Sequence, residues 1–347
     1  MTLTEVIYYF RKFAPFVLGL GVFFVIVFFI IRFYLGYLDA QKPKPLAIDP
    51  IFGKIQRISI PNTFGYPQNP QFILDTIEGV PKTATDTAKV FFLPPRSPRF
   101  GYLSKIYLMA KMLGFDTEVA KHKIADQKAV FEDSEKSLEI DIAYFNFSFD
   151  RQFDQNAGLF NGVLLPQESE INEKTKGFLT SLDRYPEELA TGKVNIIYMR
   201  YDPAKKEFTP VEEKKEANVF EIDFFRGDID GFPVIPQNYF TSSNFLLGTF
   251  KEGKLFVLRA AIQFYEKEVE KVGVYPIKTG DEAWVALLNK GAFIVSAGKT
   301  DTLVIKKMFL GYLDLATYEE YLRPVYAFLS DDGFVAYVPA IQEAFVE

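Results

Sequence analysis

The sequence predicts an α+β protein: a single N-terminal transmembrane helix followed by two domains, each built as a helix plus an antiparallel meander. Three observations predict it. Phe13 to Ile31 is a run of nineteen residues without a charge. Two stretches with helical signals, Tyr102–Leu113 and Thr279–Asn289, are each followed by strand-like runs broken by short polar turns. The composition, 48% hydrophobic and 24% charged, is that of a packed globular chain rather than a disordered one.

The apolar run comes first. At about 1.5 Å per residue it makes a helix about 28 Å long, close to the ~30 Å hydrocarbon core of a bilayer. Arg11-Lys12 bounds it on one side and Arg32 on the other. It is longer than the apolar core of a secretory signal, about 7–15 residues, and bulky residues (Phe33, Tyr34, Leu35, Tyr37) follow it. An uncleaved single-span anchor at 13–31 is therefore expected, with tyrosines at both interfaces. Arg11-Lys12 abuts the run, whereas Lys42 and Lys44 lie well past its end. A plain count, Arg32, Lys42 and Lys44 after the run against Arg11 and Lys12 before it, slightly favours a cytoplasmic C-terminal side; weighting the abutting pair, residues 1–12 are expected to be a short cytoplasmic segment and the large C-terminal region to lie outside the cytoplasm, on a single-pass protein of the cell membrane. Residues 32–50 read as a linker, stiffened by Pro43, Pro45 and Pro50.

The first domain is expected at 51–205. Phe52–Ile60, Phe72–Leu74 and Ala88–Leu93 are strand candidates, the last stopped by Pro94-Pro95. Leu103, Ile106, Tyr107, Ala110 and Leu113 recur at helical spacing, and Gly114 ends that helix. Thr117–Ile124, Lys128–Glu132 and Ser137–Phe145 follow as strands. In the third, Leu138, Ile140 and Ile142 alternate with Glu139 and Asp141, the pattern of a sheet with one wet face. Gln167–Leu182 reads as a helix with Glu168 and Glu170 at its positive end, and Lys193–Tyr201 as a strand.

The charged segment 206–217 reads as the linker to a second domain, 218–347. Val219–Phe225 is a strand, and Gly227–Pro236, with two Gly and two Pro, a loop. Phe245–Phe250 and Lys254–Tyr265 form a hairpin around Lys251-Glu252-Gly253. Glu268–Tyr275 is a further strand. Thr279 and Glu282 have capping-box spacing at the start of a helix that Gly291 ends. Thr302–Leu315 is a long strand, and Arg323–Leu329 pairs with Gly333–Pro339 across Ser330-Asp331-Asp332.

Charge and composition remove whole classes of function. The net charge is −6, or −7 once Glu5, Arg11 and Lys12 (together +1) are set aside, and no dense Lys/Arg cluster occurs. Nucleic acid is therefore not an expected partner, because phosphate neutralisation needs a basic surface. With no cysteine there are no disulfides, thiolate metal sites or cysteine nucleophiles, and the lone His122 rules out a zinc site of several histidines within one chain. The 37 phenylalanines suit aromatic-packed β cores.

The last seventy residues carry the most family-like pattern. Trp284 lies in the capped helix, GYLDLATYEEYLRPVYAF spans Gly311–Phe328, and FVAYVPAI spans Phe334–Ile341. This resembles the C-terminal region of the YycH/YycI-type membrane-anchored regulators and the related PepSY-like modules. The first domain's helix, Gly114-Phe115 and meander also look PepSY-like. The resemblance implies an extracytoplasmic α/β region that acts by protein–protein contact, on cell-wall sensor kinases or peptidases in those families. It marks Trp284, Tyr312, Tyr321, Pro324, Tyr326 and Tyr337 as pattern residues and candidate interaction positions; the same residues suit a packed sheet core.

No catalytic signature is present: no G-x-S-x-G, Walker loop or G-x-G-x-x-G. Asp228 and Asp230, with Glu221 and Asp223 nearby, form the best acidic cluster, but Tyr239 stands where a calcium loop needs its closing Glu. No catalytic residue, metal ligand or cofactor is assigned. The sequence points to a non-enzymatic extracytoplasmic scaffold that binds or regulates a membrane or envelope protein. A structural subunit of an envelope assembly of the divisome or pilus-alignment kind, and an anchored hydrolase with an unfamiliar site, stay open beside it.

Overall fold

The computed structural model describes residues 19–37, 46–61, 63–67, 70–153, 157–300 and 302–347. The expected cytoplasmic segment 1–12, residues 13–18 of the expected span and 38–45 of the linker lie outside the described residues. The chain forms two units, Met1–Leu46 and Ala47–Glu347. In the first, α1 (Gly19–Tyr37) is long and apolar enough to cross a membrane. Its phenylalanine and isoleucine side chains are exposed.

The second unit is mixed α+β. Its chain runs β1 (Gln71–Leu74), β2 (Thr87–Phe92), α2 (Tyr102–Met112), β3 (Lys121–Ala125), β4 (Lys128–Glu132), β5 (Lys136–Asp141) and β6 (Phe147–Arg151). It continues through α3 (Glu168–Ser181), α4 (Glu187–Ala190), β7 (Val194–Asp202), β8 (Glu207–Pro210), β9 (Val219–Phe224), β10 (Val234–Pro236), β11 (Phe245–Lys251) and β12 (Lys254–Ile262). It ends with β13 (Val272–Pro276), α5 (Gly280–Leu288), β14 (Phe293–Ala297), β15 (Thr302–Asp314), β16 (Tyr321–Ser330) and β17 (Phe334–Pro339).

Two sheets result. One has nine strands in the order β3-β4-β5-β6-β12-β11-β9-β7-β8, all antiparallel. The other has eight, with β1-β15-β16-β17-β14 as its main path. There β1 and β10 pair parallel to the two ends of β15, and β2 bridges β13 to β16. The meanders β3-β4-β5 and β15-β16-β17 each have a helix before them, but β14 is inserted after α5 and closes the far edge of β17.

Each helix covers a sheet because its apolar stripe has nowhere else to go. Ile106 and Met109 of α2 and Ile171 and Leu179 of α3 pack on Phe131, Phe147, Phe149, Phe220 and Phe224 of the nine-stranded sheet. Ala283 and Leu287 of α5 pack on Ile305, Tyr326, Phe328 and Val338 of the eight-stranded one. A separate cluster, including Phe91, Tyr144, Tyr265, Tyr312 and Leu322, joins the two sheets. Burying a side chain of this size stabilises by roughly 1.5–3 kcal/mol, so the join is substantial.

The expected capping box at α5 forms: the Glu282 N–H donates to Thr279 Oγ1 at 3.2 Å, and the Thr279 N–H donates to Glu282 Oε2 at 2.7 Å. Thr279→Ala is expected to lower unfolding stability by about 1 kcal/mol, with Thr279→Ser close to wild type, as read from chemical denaturation midpoints.

Several elements depart from the sequence expectation. Phe52–Ile60 is not a strand; Gly53, at φ +67°, turns the chain, and only an isolated bridge joins Ile55 to Val346. The strand expected over Ser137–Phe145 stops at Asp141. Its carboxylate accepts the N–H groups of Ala143 (2.8 Å) and Tyr144 (2.9 Å), Phe145 adopts φ +58°, and the chain reverses into β6. The strand expected over Glu268–Tyr275 starts only at Val272, and the Gly227–Pro236 loop ends in β10. The charged segment 206–217 contains β8, and β7 and β9 on either side of it pair with each other. It is thus an excursion within one sheet, because the ladder continues directly across it.

Candidate functional site

A polar cleft of about 310 Å³ opens where five segments meet. The β2–α2 loop brings Arg96 and Arg99, α2 brings Lys105, the β5–β6 turn brings Phe145, and the α3–α4 loop brings Asp183, Arg184 and Tyr185. Glu266, beyond β12, completes it.

The local sequence Leu182-Asp183-Arg184-Tyr185-Pro186 decides which way Arg184 faces. Asp183 takes the left-handed conformation that ends helices, at φ +54°. Its N–H donates to the Thr180 carbonyl and that of Arg184 to the Leu179 carbonyl, both at 2.9 Å. Pro186 then opens α4. This closed turn leaves Arg184 only 8% exposed. Its Nη2 donates to Asn146 Oδ1 at 2.6 Å, and that oxygen also accepts the Phe264 N–H at 3.0 Å. Among the described residues Arg184 has no carboxylate in ion-pair contact, and its Nε has no partner. Burial pulls the guanidinium down to about 10, so it remains a cation at neutral pH.

The carboxylates sit at the rim instead. Lys105 Nζ meets Asp183 Oδ2 at 2.5 Å and lies 4.3 Å over the Phe145 ring, while Arg96 pairs with Glu266. The Asp183 side chain is 83% exposed, so that pair is screened by water and worth little. The Tyr185 hydroxyl is buried without a partner among the described residues, and burial raises its pKa. Four cations (Arg96, Arg99, Lys105, Arg184) thus face two carboxylates on an otherwise acidic chain. The cleft is suited to hold an anion. It offers no paired nucleophile and base.

Behind the cleft lies a buried ion network. Arg226 is 3% exposed. Its Nη2 donates to the Tyr265 carbonyl, its Nη1 lies 3.2 Å from Asp314 Oδ1 and its Nε 3.7 Å from Glu188 Oε2. Its guanidinium stacks 4.1 Å over Phe264, a ring that lines the cleft. Lys267 pairs with Glu188 at 2.7 Å. The turn after α4 can lie against β9 only because Gly192 has no Cβ, which would fall 1.7 Å from the Phe225 carbonyl oxygen.

The pattern residues marked by the sequence fall elsewhere. Tyr326 and Tyr337 are fully buried, their hydroxyls donating to the carbonyls of Lys278 (2.8 Å) and Pro236 (2.9 Å). Tyr312 is buried edge-to-face with Phe91, and burial raises its pKa strongly. Tyr321 packs on Phe52, 4.9 Å between ring centres, and Trp284 lies between Phe72 and Phe328. Pro324 is buried opposite Tyr312 and lines a second, mainly apolar recess of about 200 Å³ with Val325 and Ile341. These six residues pack the eight-stranded sheet and do not converge on one opening.

The other candidates also separate. His122 lies exposed on edge strand β3, its Nε2 3.1 Å from the Tyr107 hydroxyl and its Nδ1 3.2 Å from the Ala120 carbonyl. Asp230 pairs with Lys89 at 2.9 Å, whereas Glu221 and Asp223 lie within β9. Among the described residues no group of three metal-ligating side chains converges. Sequence reading missed Arg184 and Arg226 because both sit in charged, turn-like stretches with no periodic signal.

No protein-family model matches this chain, and no curated protein matches it. Solved structures similar to it include an uncharacterized protein from Eubacterium rectale, at 14% identity, a TM-score of 0.33, and 80% of this chain against 90% of that one. They also include YycH from Bacillus subtilis, at 13% identity and a TM-score of 0.33; 74% of this chain matches about half (53%) of YycH. A third is the C-terminal domain of YpeB from Bacillus megaterium, at 9% identity and a TM-score of 0.30, covering 72% of this chain and 95% of that domain. The neighbours therefore include YycH, to whose family the C-terminal pattern is similar.

Proposed function

We propose that this protein is a membrane-anchored module whose compact unit, held outside the cytoplasm, binds and thereby regulates a membrane or envelope protein without bond chemistry of its own. The observation that carries the reading is the cleft: a buried guanidinium without a counter-ion, ringed by further cations, on a chain that is acidic overall. Such a recess is built to hold a group rather than to transform one. The apolar helix α1 supplies the attachment.

Protease added to intact cells is expected to digest residues 47–347 while the membrane stays closed. Protection until lysis overturns the extracytoplasmic placement. Crosslinking in native membranes followed by detergent pull-down is expected to recover the same membrane or envelope protein repeatedly. Repeated recovery of none counts against the binding role, and co-migration with one large complex on native gels moves the reading to an assembly subunit.

A further inference from the structure

We propose that the cleft between the β2–α2 loop and the α3–α4 loop is an oxyanion-binding site, and that the recognised ligand presents a carboxylate or phosphoryl group to Arg184. The inference rests on the cleft being the binding recess of the proposed function and names the chemistry it takes.

The first ground is the state of Arg184. A buried charge without an ionic partner is costly, and buried charges in folded proteins are normally paired. Arg226, the other deeply buried arginine of this region, follows that rule, with Asp314 and Glu188 at hand. Arg184, 8% exposed, does not: Asn146 satisfies one nitrogen with a neutral oxygen, Nε is buried with no partner among the described residues, and the residue lines the cleft. A bound oxyanion supplies the missing charge.

The second ground is how the charges are layered. The guanidinium lies inside, whereas the carboxylates of Asp183 and Glu266 are 83% and 52% exposed at the rim. The ion pairs of Lys105 and Arg96 are with these water-exposed carboxylates, which an entering anion can replace at little cost while Lys105 stays over the Phe145 ring. Arg99 is exposed and makes no ion pair among the described residues. The planar fork of an arginine matches the two oxygens of a carboxylate or phosphate. The volume of about 310 Å³ is at the small end for ligand pockets, the size of one anionic group and its immediate attachment.

The test uses the full chain in detergent micelles and follows thermal unfolding with inorganic phosphate, succinate or chloride at matched ionic strength. Phosphate or succinate is expected to raise the midpoint by about 2 °C or more over chloride. Arg99→Glu, an exposed substitution that leaves the core untouched, is expected to abolish that rise while its midpoint in chloride stays near wild type. Arg184→Met is expected to abolish it as well. A rise with phosphate alone assigns a phosphoryl ligand and one with succinate alone a carboxylate; either sustains the site. No rise in wild type, or a rise of equal size in Arg99→Glu, overturns it. Crosslinking of wild type separates the two levels: a recurring partner with no anion effect removes the oxyanion site and leaves the binding module standing.

Discussion

Arg226→Met is expected to destabilise the compact unit by about 3–5 kcal/mol, the cost of removing one partner from a buried ion pair. The side chain is fully enclosed and does three jobs. It neutralises Asp314 at the end of β15, ties down the Tyr265 carbonyl beyond β12, and reaches Glu188 of α4. Burial raises the Asp314 pKa, and Arg226 is the largest influence pulling it back down. Without the arginine, Asp314 is a buried acid with only the weaker influence of Lys267 to offset its burial. The companion double variant Arg226→Met/Asp314→Leu removes the stranded charge and is expected to recover more than half of the loss, since well-packed apolar replacements of buried ion pairs are often neutral. The sole tryptophan, Trp284, packs against the eight-stranded sheet and serves as a local probe. Its fluorescence and far-UV circular dichroism are expected to give coincident denaturant transitions in wild type and separated ones in Arg226→Met, because the arginine spans the join between the sheets. A single variant that loses less than about 1 kcal/mol removes Arg226 from that role.

What the sequence made legible was local. The α2 helix follows from apolar spacing, α3 from the acidic first turn of Glu168 and Glu170, α5 from the Thr279–Glu282 box, and the β11–β12 hairpin from Glu252-Gly253, both at positive φ. What escaped was non-local. Nothing in a window around Val234–Pro236 announces a parallel partner at Tyr312–Asp314. The β5–β6 reversal hid inside an apolar run because one side chain, Asp141, makes the turn that Gly or Pro usually marks. The charged stretch at 206–217 looks like a boundary by composition, yet the neighbouring strands pair across it.

The candidate site shows the same division. Tyr326 and Tyr337 stand out in the sequence because aromatic patterns are conspicuous, but their hydroxyls are spent on buried carbonyls. Arg184 reads as an ordinary surface charge in a turn. Its burial depends on Asn146 and Phe264, 38 and 80 residues distant in the chain, which no local pattern connects to it. Arg226 sits in an Arg-Gly-Asp tripeptide whose familiarity says nothing about the inward path of its first residue.

Asp223→Asn is expected to stabilise the protein by about 2 kcal/mol near pH 8 and to flatten its pH dependence. Asp223 is fully buried in β9. Burial raises its pKa from 3.8 to about 6, and the Ser242 N–H, which donates to Oδ1 at 3.1 Å, and Asn195 on β7 offset only part of that. The direction of the linkage follows. Between the unfolded value and about 6 the folded chain holds a proton that the unfolded chain has released. Stability therefore falls as pH rises through that window and stays low above it. The full shift corresponds to about 3 kcal/mol, and the hydrogen bonding that asparagine does not reproduce in the buried site brings the net gain to about 2. Asparagine keeps the shape and an acceptor for the Ser242 N–H but carries no charge to bury. Glu221, two residues earlier, is raised by burial and further by the charge on Asp223, so its titration also eases in the variant, and the difference between variant and wild type reports Asp223 together with its coupling to Glu221. Denaturant midpoints measured from about pH 4 to 8 are expected to coincide at the acid end and diverge as Asp223 ionises. Parallel curves across the range would mean that Asp223 is already compensated in the folded state and that the acid within β9 has no part in the pH response.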